Sequence, residues 1–266
     1  MKLLLIRHAE SKYNKLVSDT EKSMDLTSDA KKLILFTKCI KDPELLDCDI
    51  SQHGYEQISQ SLAANTEALK HVKVVLVSPM NRALTTAKLM FDPLVQCGQE
   101  IKFLVVPHLR EILESQCDIV LSCQDKLHKH PNFDFSLVLE EEKKHGFEWF
   151  IHSKLDQYTK QLMLKKVQAK ENLTDIEKSF ALIDFLQEHL PEYMELHYEV
   201  LHRTIVFKTW LKEFLKQNHY KEGEIALVGH SCYFKLLTGS NFDQHQVPQT
   251  CRWLKNCEVY EFHVDL

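Results

Sequence analysis

Short apolar runs, each stopped by a charged or turn-forming residue, set the rhythm of this chain. Residues 2–6 form one such run and predict a buried strand. From 51 to 70 the period becomes helical: Ser51 is a suitable N-cap, and Ile58, Leu62 and Leu69 share one face. Val72 to Val77 is apolar and β-branched, a second strand. Ser78-Pro79 ends it, with proline placed to start a helix over 80–91. Ile101 to Val106 is a third strand closed by Pro107, and Ile225 to Val228 is a fourth, followed by a helix over 231–238. Residues 258–264 alternate like a fifth. Strands separated by helical segments predict an α/β fold, three layers α/β/α with a mostly parallel central sheet.

Two stretches break the rhythm. Residues 15–48 are polar, and residues 112–200 are long, charged and helical in character, with helices expected over 175–190 and 194–217. Connections in α/β units are normally short. Both stretches therefore read as insertions forming a cap over the sheet end where such folds place ligands. With no repeat and no low-complexity linker, residues 1–266 read as one domain.

Composition narrows the chemistry. The chain holds only 6 glycines in 266 residues, well below the usual share of roughly 7%. It has no glycine-rich phosphate loop, so any phosphate must be held by side chains. A net charge of −5 gives no field for nucleic acid. The apolar start is cut short by Arg7-His8-Ala9-Glu10, too early for a signal segment, and no window is long enough to span a membrane. The expectation is a cytoplasmic protein whose eight cysteines are buried thiols rather than disulfides. No C-x-x-C pair exists, and Cys117, Cys123 and His128-Lys129-His130 are loosely spaced for zinc, so no metal site is expected.

The strand ends carry the distinctive residues. The first ends in Arg7-His8, the second leads through Ser78-Pro79 to Arg82, the third leads to Glu111, and the fourth ends in Gly229-His230. If these strands are parallel neighbours, two arginines, two histidines and a carboxylate converge. Such a pocket suits phosphoryl transfer, which needs cationic donors at the equatorial oxygens, an in-line nucleophile and a proton source for the leaving oxygen. Taken singly, each has a plainer reading: a core histidine, a solvated helix arginine, or for Asn14 a turn-closing asparagine. Glu114 lies one turn from Glu111 and competes for the acid's role. Glu10 reads as a helix-start charge, Lys12, Lys15 and Lys143-Lys144 as solvated faces. Cys232 reads as a packed thiol, and Phe147, Trp149 and Phe150 as cap core or substrate mouth.

Together these segments resemble a family. Leu5-Ile6-Arg7-His8-Ala9-Glu10-Ser11 with Asn14 is similar to the R-H-G-E-[ST]-x-x-N signature of the histidine phosphatase superfamily, the phosphoglycerate mutase-like proteins. Ser78-Pro79-Met80-Asn81-Arg82-Ala83-Leu84-Thr85-Thr86-Ala87, Leu109-Arg110-Glu111, Ala226 to Ser231, Ser51 to Gln57 and Asn256-Cys257-Glu258 resemble further segments, in family order. Ala9 stands where glycine is common, and Ser51 where threonine is usual.

The resemblance implies a phosphatase acting on a small phosphorylated substrate. His8 would be the nucleophile that forms a phosphohistidine, and Glu111 the general acid. Arg7, Arg82 and His230 would bind the phosphoryl oxygens with help from Asn14, and no metal or organic cofactor is implied. The same pocket would serve a phosphoglycerate-type mutase or a non-catalytic phosphate-binding member. A reading from another class makes Ser231 an esterase nucleophile, since Gly229-His230-Ser231 resembles the opening of G-x-S-x-G; Tyr233 replaces the last glycine, and little chain remains for a following acid and histidine.

Overall fold

Strand β1, Lys2–Arg7, buries its four central residues completely. Such an apolar run suits a strand flanked on both sides and covered on both faces. In the computed structural model, which describes residues 1–23, 42–146, 148–154, 157–168, 173–189 and 195–266, β1 lies inside a six-stranded sheet. β2 is Val74–Val77, β3 Lys102–Val105, β4 Phe133–Asp134 and β5 Ile225–Gly229. β6 (Ser240–Phe242) and β7 (Pro248–Thr250) form a separate two-stranded ribbon, and β8 is Val259–His263. The order across the large sheet is β4-β3-β2-β5-β1-β8. Every pair in it is parallel except β1 with β8. The fold is α/β with a mostly parallel central sheet.

Period-two alternation along β1 divides the core. Leu4 and Ile6 face one apolar cluster, Leu3 and Leu5 the other. The first cluster packs beneath α2 (Gln52–Leu69) and α3 (Asn81–Gln96) through Ile58, Leu69, Leu84 and Met90. The second packs beneath α8 (His197–Asn218) and α9 (Ser231–Leu237) through Phe207, Leu211 and Phe234. The remaining described helices are α1 (Lys12–Ser23), α4 (Gln124–Lys129), α5 (Ser136–His145), α6 (Gln157–Gln168) and α7 (Asp175–His189).

Several boundaries differ from the sequence expectation. Val72 belongs to the turn after α2, where its N–H donates to the Leu69 carbonyl. α3 continues through Pro93 to Gln96, because Ala87, Met90, Phe91 and Leu94 keep meeting the core at helical spacing. Within 112–200, two residues form β4 and extend the sheet, with Phe133 stacked on Phe103 at 4.4 Å between ring centroids. So short a strand carries no readable periodicity. Val138, Trp149, Phe150, Met163, Leu182 and Phe185 of this stretch join the same cluster as β1 and β2. Residues 24–41 of the polar stretch 15–48, and Phe147, lie outside the described residues. Cys97 and Cys251 are exposed, which corrects the expectation of uniformly buried thiols; the seven described cysteines are all free.

Candidate active site

Parallel register delivers the site. Arg7 lies opposite Gly229, and Val77 opposite Val228, so the residues just beyond these strands emerge side by side, roughly 4.8 Å per strand apart. The His8 N–H donates to the Gly229 carbonyl at 2.9 Å, and the Ser78 N–H to that of Val228 at 3.0 Å. The His8 and His230 rings end with centroids 5.0 Å apart.

His8 is 3% exposed, and its Nδ1 lies 2.6 Å from the Ala9 carbonyl oxygen. A carbonyl only accepts, so Nδ1 carries the proton and Nε2 keeps its lone pair. Burial, then the charges of Arg82 and Arg7, hold the His8 pKa well below its ordinary value against the opposing hydrogen bond to Ala9. At neutral pH this imidazole is neutral, with its Nε2 lone pair available. His230 is fully buried, its Nε2 2.7 Å from Ser78 Oγ. Burial, Arg82, His8 and Arg7 likewise keep it neutral.

The two arginines are clamped differently. Arg7 donates from Nη1 to the Leu254 carbonyl at 2.9 Å and lies under the Trp253 ring at 5.8 Å. Arg82 is buried; its Nη1 donates to the Cys117 carbonyl at 2.7 Å and its Nη2 to Asp118 at 2.8 Å. Arg7 Nε and His230 Nδ1 are buried without a hydrogen-bond partner. Two orphaned polar groups in one cluster cost about 1–3 kcal/mol each, a cost that an oxyanion ligand would relieve.

Glu111 supplies the carboxyl. One oxygen accepts from the Ile112 N–H at 2.9 Å and the Tyr233 N–H at 3.0 Å, the other from the Cys232 N–H at 3.3 Å. Burial chiefly, then the charge of Asp118, push it up to about 7, although those backbone donors and Arg82 pull the other way. A carboxyl at that level is partly protonated at neutral pH and can give or take a proton. Glu114, its competitor, is exposed.

Solved phosphatases are similar to this chain. The ecdysone phosphate phosphatase of Bombix mori, solved with tungstate, shares 13% identity over 99% of this chain and 89% of its own, with a TM-score of 0.49. A mycobacterial glucosyl-3-phosphoglycerate phosphatase complexed with VO3 shares 12% over 98% and 90%, at 0.47. A phosphoserine phosphatase from Entamoeba histolytica, in complex with 3-phosphoglyceric acid, shares 15% over 88% and 76%, at 0.33. No family profile and no curated protein sequence matches the chain. At such identities, function has to be read from the site.

The remaining motif residues turn out to brace the loop after β1. The Ala9 N–H donates to Thr86 Oγ1 at 3.0 Å, the Glu10 N–H to Gln57 Oε1 at 2.8 Å, and Asn256 Nδ2 to the His8 carbonyl at 2.8 Å. Ser51 caps α2 by accepting the Gly54 N–H at 3.2 Å while its hydroxyl donates to Glu10 at 2.6 Å. A Cβ on Gly54 would lie 2.7 Å from the Glu10 carbonyl oxygen, so only glycine permits this approach of helix to loop. The contacts of Asn14 are those of a helix start: its Oδ1 accepts the Ser11 N–H at 3.3 Å and its own N–H donates to Ser11 Oγ at 3.0 Å. Ser231 opens α9, and among the described residues no histidine bonds its hydroxyl. Lys12 and Lys15 pair on the surface with Glu44 and Asp19. No cluster of three metal-ligating side chains occurs among the described residues.

A second network, without a signal in the sequence, lies behind Glu111. Arg110 and Arg203 both grip Glu195, at 2.7 and 2.9 Å, and both donate to the Glu111 carbonyl. Arg203 also stacks over Tyr233 at 5.1 Å. These residues pin the backbone of Glu111 from behind. Glu195 is too distant along the chain for any local pattern to link it with Glu111. Trp149 and Phe150 are buried and line, with His108, Tyr198 and Arg203, a cavity of about 600 Å³ beside this network.

Proposed function

We propose that this chain is a phosphomonoester hydrolase of the histidine phosphatase type, working without a metal through a phosphohistidine on His8. What supports it most is one observation: a neutral imidazole with a free Nε2 stands between the buried Arg82 and the half-buried Arg7, beside a buried carboxyl near pKa 7. His8 Nε2 attacks phosphorus as the bond from phosphorus to the leaving oxygen breaks, and Glu111 gives its proton to that oxygen. Arg7, Arg82 and the ring of His230 take the equatorial oxygens, with Asn14 assisting at the helix start. Water then attacks the phosphohistidine, Glu111 accepts its proton, and the P–N bond breaks to release phosphate and restore neutral His8.

The substrate is a small phosphorylated molecule, met in the cytoplasm and without nucleic-acid or membrane partners. No described helix is long and apolar enough to cross a membrane. The test is a phosphomonoester panel run on the wild type beside His8→Ala. Turnover lost in the variant supports the reading, and wild-type rates in the variant overturn it. Acceleration by an added bisphosphate would mark a mutase, and loss of activity in Ser231→Ala an esterase.

A further inference from the structure

Asp118 takes no part in the reaction just described, yet it is built into the pocket. It is 6% exposed. One of its oxygens accepts from Arg82 Nη2 at 2.8 Å; the other accepts from the Ser115 N–H at 3.0 Å, the Ser115 hydroxyl at 3.0 Å and the Glu114 N–H at 3.3 Å. The turn thus fixes the carboxylate, and the carboxylate fixes the arginine. The other terminal nitrogen of Arg82 is held by the Cys117 carbonyl of the same turn. Each of these nitrogens carries a second N–H for a phosphoryl oxygen.

Aiming a guanidinium needs only acceptors, and a carbonyl would serve. The charge does something further. The Glu111 carboxyl is faced by Arg7 from β1, Arg82 from α3, Cys232 from α9 and Asp118 from the 114–118 turn, while Arg110 and, from α8, Arg203 meet its backbone carbonyl with their charges paired to Glu195. Burial keeps the Cys232 thiol protonated, so Asp118 is the formal anion of that set. Without it burial alone would oppose the pull of two guanidinium groups, and a smaller share of Glu111 would hold its proton when the leaving oxygen needs one. We propose that Asp118 is a positioning residue of the phosphate pocket: it aims Arg82 at the phosphoryl group and sets a fixed negative charge on the Glu111 side of that clamp. This rests on the phosphatase reading above for its consequence, but not for its physics.

Asp118→Asn tests it with two readouts that need no turnover. Calorimetric titration with inorganic phosphate should show affinity about tenfold weaker, as expected when a charge-assisted hydrogen bond no longer orients the clamp. The Glu111 carboxyl, followed by ¹³C NMR and assigned through Glu111→Gln, should titrate about one pH unit lower. Where turnover is measured, the alkaline limb of kcat/KM should move down with it. A purely structural role would lower the rate without moving either titration. Unchanged phosphate affinity, or an unmoved Glu111 midpoint in the folded variant, overturns the proposal. Should Asp118→Asn not fold, Asp118→Glu carries the test: the charge remains, so the midpoint should hold, while the longer side chain displaces Arg82 and weakens phosphate binding. Unchanged phosphate binding there, or a lowered midpoint, overturns it equally. A wild type without phosphatase activity would sink the functional reading and leave both titrations standing as tests of Asp118.

Discussion

Replacing Glu111 by glutamine should change how stability depends on pH, by an amount the structure fixes. The Glu111 carboxyl has an ordinary pKa of 4.5 and is pushed up to about 7 in the fold, chiefly by burial. Below the lower value it is protonated in both folded and unfolded chains and contributes nothing. Between the two values the folded state holds a proton that the unfolded state has released, so stability falls as pH rises. Above about 7 both states are ionised and the full cost is present. Integrated across that window, the loss is about 3 kcal/mol. Glutamine keeps the shape and does not titrate. The stability of wild type minus that of Glu111→Gln should therefore fall by about 3 kcal/mol between pH 4 and 8. Groups common to both proteins cancel in this difference. Guanidinium unfolding at matched pH values measures it, provided the slopes agree between the two proteins. Parallel stability curves would refute the reasoning and would remove Glu111 as an acid at neutral pH.

Other expectations follow from single contacts. Arg82→Ala leaves Asp118 buried and unpaired, and should cost about 3–5 kcal/mol in chemical unfolding; an unchanged midpoint would mean the pair carries no stability. Gly54→Ala forces a Cβ against the Glu10 carbonyl and should cost about 1–3 kcal/mol while lowering kcat/KM, since that loop carries His8; a wild-type melting temperature with full activity would show that the loop yields freely. Asn256→Ala releases the His8 carbonyl and should lose about 1 kcal/mol of stability by thermal melt. Glu111→Gln should slow substrates with poor leaving groups more than aryl phosphates, and equal slowing would point to another acid. Chelators should leave the rate unchanged, and inhibition would place a metal in the reaction.

Strands β1, β2 and β5 were legible because they are short buried runs cut off by Arg7, Ser78-Pro79 and Gly229, too short for helices; β3 was marked by Pro107 and β8 by its alternation. The convergence of Arg7, His8, Arg82, Glu111 and His230 was legible because parallel strands expose their carboxyl ends together, and those ends held the polar residues. β4 was not, since two residues carry no period. The partners that hold the reactive groups were also hidden. Asp118 with Arg82, and Glu195 with Arg110 and Arg203, meet only after the chain has folded back across many residues. Asn14 was legible as a motif position, but the hydrogen bonds by which its Oδ1 and backbone N–H hold the helix start to Ser11 were not.

The central claim is that His8 Nε2 takes the phosphoryl group. A ³²P-labelled phosphomonoester mixed with enzyme and quenched in alkali within one turnover, followed by peptide mapping, tests it directly. The expected result is label on the peptide containing Arg7-His8-Ala9, stable to alkali, released by acid and missing from His8→Ala. Label on any other residue, or sustained turnover by His8→Ala, would contradict the account.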